Sequence, residues 1–264
     1  MPEGHTIHRL ARDLNRDLRR RAVHTSSPQG RFTEGAHELD GQTLRGAEAL
    51  GKHLFLNFAF AQIHIHLGLF GKFRRQTAPI EPPGENKRLR LATPDVAWDL
   101  SGPTVCAVID PEQFETIAKR IGPDPLRKDA DGLRFVQRAG KSPTPIGGLL
   151  LNQAAIAGVG NVYRAEFCFL AGVNPFTPAK QLADGVSQQL WDLSVEHLRE
   201  GVRLNRIVTR DPEEIGVTRG RIRKGDRLYV YKRAGQPCRI CGTPIVRDDI
   251  ANRKIWFCPT CQPR

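Results

Sequence analysis

Near the start of the chain Ile7, Leu10, Ala11, Leu14 and Leu18 recur on one face at helical spacing, which predicts a helix over residues 3–21. From 43 to 75 the period changes to two. Leu54, Leu56, Phe58 and Phe60 alternate with Phe55, Asn57 and Ala59, and Ile63, Ile65 and Leu67 alternate with His64 and His66. The first of these runs is apolar on both faces, as a buried sandwich strand is. A second β stretch, 87–110, is interrupted by Thr93-Pro94-Asp95 and Ser101-Gly102-Pro103 turns. Residues 1–127 therefore predict a β-sandwich with a leading helix. Pro123, Pro125, Pro143 and Pro145, with charged residues among them, mark 128–143 as a linker. Helical patterning follows at 146–155, 160–171 and 178–204, the last carrying Leu182, Val186, Leu190 and Leu193 on one face with Thr177-Pro178 as its start signal. The pattern predicts an α+β multidomain chain: a sandwich, a helical domain over 144–225 and a small module over 226–264.

Composition narrows the class. Hydrophobic content of 39% and charged content of 26% are those of a globular chain. No apolar run approaches the ~20 residues that span a bilayer, and the start lacks a signal-peptide pattern, so the expected location is cytoplasmic. The formal charge of +12 calls for a polyanionic partner, of which nucleic acid is the commonest. Arginine outnumbers lysine 30 to 10, which suits bidentate phosphate contacts. No Lys-rich amphipathic helix supports a membrane partner.

The clearest local signal is Cys238-x-x-Cys241 followed, after sixteen residues, by Cys258-x-x-Cys261. Two C-x-x-C turns supply four thiolates, and the span between them accommodates a hairpin at 246–257 that carries Arg247, Arg253 and Lys254. Four sulfur ligands leave no open coordination position, so the zinc is structural. Disulfides are the alternative, disfavoured in a reducing cytosol. Cys106 and Cys168 sit in apolar surroundings as buried thiols.

Three further features carry chemistry. Met1-Pro2-Glu3-Gly4 opens the chain, and methionine before a small residue is ordinarily trimmed. Trimming leaves Pro2 as a free secondary amine beside a carboxylate. The amine sits at the positive end of a helix dipole, which lowers its pKa and favours nucleophilic attack; the bland alternative is a proline that merely begins a helix. Gly158-Val159-Gly160-Asn161 makes a glycine-rich turn opening a helix, with backbone N–H groups suited to a phosphate, or simply a tight turn. His53, His64 and His66 include an H-x-H pair on one strand face, but packing or polar roles are favoured over metal binding. From 218 to 233 the chain is basic, with Arg219, Arg221, Arg223, Lys224, Arg227, Lys232 and Arg233.

Together, Met-Pro-Glu-Gly at 1–4, Gly51-Lys52-His53-Leu54, His66-Leu67-Gly68, Gly158-Val159-Gly160-Asn161-Val162-Tyr163 with Glu166, and the terminal run from Asn252 to Gln262 closely resemble the Fpg/Nei family of DNA glycosylases, in the family's order and across essentially the whole chain. The resemblance implies an N-terminal β-sandwich, a helix–two-turn–helix domain and a C-terminal zinc finger, with one structural Zn2+, no organic cofactor, and damaged double-stranded DNA, or single-stranded or bubble DNA, bound by a monomer between domains. It implies that Pro2 attacks C1′ of the damaged nucleotide, that Glu3 is the general acid, and that Lys52 binds a phosphate and assists the sugar chemistry. It further implies that Asn161 and Arg253 grip phosphates and that Leu69 and Phe70 form a wedge. Pro-Glu-Gly and Leu69-Phe70 resemble the endonuclease VIII branch. Asp110-Pro111-Glu112-Gln113-Phe114 is similar to the formamidopyrimidine branch's Asp-Pro-Arg-Arg-Phe loop but lacks both arginines, and His5 and Thr6 depart from the family's usual proline and glutamate. The activity so implied is excision of oxidised bases, mainly pyrimidines, with abasic-site lyase action. An oxidised-purine glycosylase, a lesion-binding protein without catalysis, and a zinc-ribbon transcription or translation factor remain alternatives.

Overall fold

The computed structural model describes residues 2–263, and the chain divides into two compact units, Met1–Arg120 and Ile121–Arg264. Each is considered by itself.

In the first unit, helix α1 (Gly4–Leu18) buries the predicted face Ile7, Leu10, Ala11, Leu14 and Leu18. It is fastened to strand β2 (Gly46–Leu50) where Asn15 Nδ2 donates to the Ala47 carbonyl at 2.6 Å and Ala47 N donates back to Asn15 Oδ1 at 2.8 Å. Strands β3 (His53–Asn57), β4 (Gln62–His66) and β8 (Val105–Ile109) complete an antiparallel sheet in the order β2-β3-β4-β8. A second antiparallel sheet runs β1-β6-β7-β5, from β1 (His24–Ser26), β5 (Lys72–Thr77), β6 (Leu89–Ala92) and β7 (Val96–Ser101). Leu54, Leu56, Ile63 and Ile65 of one sheet and Leu89, Leu91, Trp98 and Leu100 of the other join α1 in a single core. Burying each such side chain contributes about 1.5–3 kcal/mol, so α1 is held by its apolar face rather than by its caps. A short helix α2 (Thr33–Leu39) covers β1.

Two expectations fail in this unit. Strand β3 ends at Asn57, and Phe60, read as a strand residue, sits on the β3–β4 turn with 94% of its surface exposed. The stretch after Asp110 is a helix, α3 (Pro111–Lys119). Asp110 accepts from Gln113 N at 2.7 Å, and Gln113 Oε1 accepts from Asp110 N at 3.1 Å, a closed capping box with Pro111 at the first helical position.

The second unit is helical with a terminal hairpin. Helix α4 (Gly132–Lys141) occupies most of the segment read as a linker. Asp131 caps it, and Phe135 and Ala139, one turn apart, are fully buried in the unit's core. The prolines that suggested a linker lie outside the helix, at its flanks. Helix α5 is a single turn, Ile146–Leu149, not the longer helix expected; Asn152 Oδ1 turns the chain by accepting from Ala154 N at 3.0 Å. Helix α6 (Asn161–Leu170) matches its expected span closely. Helix α7 (Val186–Leu204) begins later than Thr177-Pro178 suggested, because Pro178 is extended (ψ 131°) and Gly185, at φ 81°, resets the backbone just before the helix. The chain ends in the antiparallel hairpin β9 (Val246–Ile250) and β10 (Arg253–Phe257), inside the range read from the cysteine spacing. No described helix is long and apolar enough to cross a membrane.

Candidate active site and nucleic-acid interface

The first unit carries the predicted Pro2-Glu3 pair. Pro2 lies ahead of α1 and is partly exposed, while Glu3 occupies the N-cap position with no exposed surface, its carbonyl accepting from Thr6 N at 2.9 Å. A carboxyl so placed is sheltered from bulk water. Met1, whose removal the amine chemistry requires, lies outside the described residues. His5 is buried in the same turn, and burial pushes its imidazole down to about 4, so it is neutral at physiological pH.

Lys52 stands in the two-residue turn that joins β2 to β3, where Gly51 takes φ 58° and Leu50 pairs with His53. It lies beside the histidines. Burial lowers His53 to about 3, with His66, His64 and then Lys52 adding to the shift; His64 falls to about 4 and His66 is lowered too, in each case chiefly by burial. The three neutral rings form a ladder on one sheet face. His53 Nδ1 and His64 Nε2 are 2.8 Å apart, the His64 and His53 rings stack at 5.1 Å and His53 meets His66 at 4.8 Å. Phe55 stacks on His64 at 5.0 Å and Phe114 of α3 abuts Phe55 edge-on at 4.9 Å. Among the described residues the one group of three or more ligating side chains with metal-site geometry is the cysteine quartet.

The ladder ends at the β4–β5 turn. His66 Nδ1 accepts from Gly68 N at 3.2 Å, and Gly71 N donates to the Leu67 carbonyl at 2.9 Å. A Cβ on Gly68 (φ 63°) would fall 1.9 Å from Thr104 Oγ1, and one on Gly71 would fall 2.3 Å from the Leu67 oxygen, so only glycine closes this turn. Between the glycines Leu69 and Phe70 project outward, 52% and 81% exposed.

The second unit assembles its polar groups around the start of α6. Gly158 (φ 82°) and Gly160 turn the chain, and Asn161, the first helical residue, donates Nδ2 to the Lys254 carbonyl at 3.1 Å. One turn on, the fully buried guanidinium of Arg164 donates to the carbonyls of Gly147 at 3.0 Å, Ile250 at 3.3 Å, Arg253 at 3.0 Å and Lys254 at 3.0 Å. Glu166, also fully buried, accepts from the backbone N–H groups of Tyr229, Val230 and Tyr231 at 2.8, 2.9 and 2.8 Å and from the Thr209 hydroxyl. The segment leading to the zinc module is thus tied to α6 by a carboxylate nest. The side chain of Arg253, by contrast, is exposed at the start of β10. Sequence reasoning overlooked Arg164. Its only local signal was the i, i+3 spacing from Asn161, which puts both on one helix face.

The cysteines of the final module meet as expected. The Sγ atoms of Cys238 and Cys261 are 3.8 Å apart, those of Cys241 and Cys258 are 3.5 Å apart, and all four lie within 4.8 Å of one another. A tetrahedron of Zn–S bonds of about 2.3 Å has edges of about 3.8 Å, so the quartet fits zinc. Cys258 N donates to Gln262 Oε1 at 2.9 Å, which anchors the second C-x-x-C turn. By contrast, burial pushes the Cys106 and Cys168 thiols up to about 12, so both stay protonated.

This arrangement corresponds to known models along its length. Residues 1–117 match the formamidopyrimidine-DNA glycosylase N-terminal domain, 121–213 the formamidopyrimidine-DNA glycosylase H2TH domain, and 235–264 the zinc finger found in FPG and IleRS. The chain belongs to the Fpg/Nei family of DNA glycosylase and abasic-site lyase enzymes, with a helix–two-turn–helix domain and one structural zinc site. It is 41% identical to Endonuclease 8 1 of Mycobacterium tuberculosis, over 99% of this chain and 100% of that protein. It is 32% identical to the DNA-(apurinic or apyrimidinic site) lyase Nei2 of Mycolicibacterium smegmatis, over 99% of each. The solved structure of Lactococcus lactis Fpg with DNA containing an abasic site superposes with a TM-score of 0.81 at 25% identity, covering 99% of this chain and 100% of that one.

Proposed function

We propose that this chain excises oxidised bases, mainly pyrimidines, from damaged double-stranded DNA and cleaves the resulting abasic site through a Schiff base on Pro2. The observation that carries this reading is the head of α1, where a partly exposed proline is followed at the N-cap by a carboxyl residue removed from solvent. With Met1 gone, the Pro2 nitrogen lone pair bonds to C1′ of the damaged nucleotide. The base leaves with the glycosidic bonding pair and a proton, and Glu3 protonates the ring oxygen as the sugar opens. The iminium so formed withdraws electrons and acidifies the neighbouring C2′–H. Loss of that proton expels the 3′ phosphate, and a second elimination expels the 5′ phosphate. Lys52, beside the histidine ladder, binds a phosphate of the same nucleotide. Asn161 and Arg253 hold the DNA backbone from the second unit, and Leu69 and Phe70 fill the space that the extruded base leaves.

Two observations favour pyrimidines over oxidised purines. The relative at 41% identity is named an endonuclease 8. In this chain the Asp110–Phe114 stretch also offers no arginine: Gln113 is folded back onto Asp110 and Phe114 is packed on Phe55, so the stretch carries no cation to read an opposite base. We further propose that the four segments 1–127, 128–143, 144–225 and 226–264 act as catalytic sandwich, connection, DNA-binding helices and zinc finger, with the connection built as a helix.

Borohydride trapping on abasic-site DNA tests the chemistry. The native protein should form a covalent adduct, and a protein with a tagged, unprocessed N-terminus should not. Equal adduct from both would overturn the role of Pro2. Rates on DNA containing an oxidised pyrimidine and on DNA containing an oxidised guanine test the substrate assignment.

A further inference from the structure

Arg164 lies at the centre of the second unit's polar framework, and the proposed chemistry has no use for it. It is among the largest side chains in the described chain with no solvent exposure. Burying a guanidinium is costly unless its N–H groups are satisfied, and here four backbone carbonyls accept from its two terminal nitrogens, Nη1 and Nη2. Three of those carbonyls bracket one turn: Ile250 ends β9, and Arg253 and Lys254 begin β10. Ala251 and Asn252 between them both take left-handed conformations, φ 53° and 57°, as a tight two-residue hairpin turn requires. The turn also rests on α5. A Cβ on Gly147 would come within 3.2 Å of Ile250 Cδ1, and one on Gly148 within 3.4 Å of Ile250 Cγ2, so Ile250 sits against bare backbone. Asn161, three residues before Arg164 on the same helix, donates to the Lys254 carbonyl.

We propose that Arg164 is a positioning residue that fixes the Ala251-Asn252 turn against α6, so that Arg253 is presented to a DNA phosphate in a preset place. The proposal rests on the reading of Arg253 as a phosphate ligand and adds what holds it. A two-stranded hairpin is marginally stable alone, and zinc fixes its far end, at the cysteines, and leaves the turn unrestrained. Arg164 secures that turn by its backbone and so leaves the Arg253 side chain exposed for DNA. Its planar fork reaches several carbonyls at once, which a lysine ammonium in the same place cannot do.

The test is a double-mutant cycle in the full, zinc-loaded chain. Affinity for a duplex carrying a tetrahydrofuran abasic analogue is measured against salt for the native protein, Arg164→Lys, Arg253→Ala and the double variant. If Arg164 acts through Arg253, Arg164→Lys keeps its zinc and weakens binding about tenfold, the order of one lost charge-assisted hydrogen bond. It also lowers the salt slope by about 0.9, one phosphate contact. In the Arg253→Ala background the same substitution changes neither quantity. A role in stability alone would leave the salt slope unchanged.

Additive losses, or no loss from Arg164→Lys where Arg253→Ala has one, would overturn the positioning role and leave the Arg253 reading intact. No loss from Arg253→Ala itself would overturn both. If Arg164→Lys sheds zinc or unfolds, Ile250→Ala takes its place in the cycle. It loosens the same turn without touching a charge, and the same outcomes decide.

Discussion

The two units carry the side chains proposed to meet DNA on tight turns, but they brace those turns differently. In the first, Leu69, Phe70 and Lys52 stand on turns between strands of large sheets, and backbone geometry holds them. Gly71 bonds back to Leu67, Thr104 N donates to the His66 carbonyl at 2.8 Å, and glycines occupy the positions where a side chain would collide. In the second, Arg253 stands on a two-stranded hairpin with no wide sheet behind it. There a metal quartet fixes one end, and the buried side chains of Arg164 and Asn161 hold the other. A broad sheet supplies its own support, whereas a small module needs ligands and charge-assisted bonds.

The largest effects should come from separating chemistry in the first unit from grip in the second. Blocking the amino terminus or replacing Pro2 with Gly should remove most lesion excision, and Glu3→Gln should slow it roughly 10²- to 10⁴-fold, with DNA affinity preserved in each case. Single-turnover excision and gel-shift titration on the same preparations check this. Binding lost in step with excision would mean that the head of α1 serves the grip instead.

Zinc loss should act on the other side of the comparison. Cys258→Ser should release the metal, whose contribution in small modules is about 10 kcal/mol or more, and unfold the hairpin bearing Arg253 while strands β2 to β8 stay protected. Hydrogen exchange followed along the whole chain, with metal analysis, reads both halves. Equal loss of protection in both units would show that they are not braced independently.

The proposed wedge of Leu69 and Phe70 should give a substrate-dependent effect. Extruding a stacked base costs a few kcal/mol, and Leu69→Ala with Phe70→Ala should slow excision of an oxidised pyrimidine from duplex DNA far more than cleavage at an abasic site in single-stranded DNA. Equal slowing on both would make the pair a support for the fold.

The smallest effect is a pH dependence of the first unit's histidine ladder. His53 and His64 are held near 3 and 4 and His66 is also lowered, all chiefly by burial, whereas their unfolded value is about 6.5. The folded ladder therefore stays neutral while the unfolded chain takes up protons. The stability it contributes is complete above about pH 6.5 and is lost as pH falls from there toward about 4. Protection of β3 and β4 in hydrogen exchange should drop over that window, and His64→Phe should flatten the drop.

The sequence by itself determined whatever is written in local spacing. The apolar face of α1, the cysteine quartet and its hairpin, the glycine-rich turn before Asn161 and the Pro-Glu opening all repeat or adjoin within a few residues. Patterns of that kind survive without knowledge of the fold. Only the tertiary structure decided that the proline-flanked segment around Phe135 is a helix, because Phe135 and Ala139 needed a core to bury against. It alone set the late start of α7, where Gly185 overrides the Thr-Pro signal. It also decided the partners of Arg164, which lie 86 to 90 residues away along the chain in three of four cases and are backbone carbonyls. A carbonyl is the same at every position, so no residue type announces it as a partner, and only folding determines which carbonyls come to rest around a buried cation.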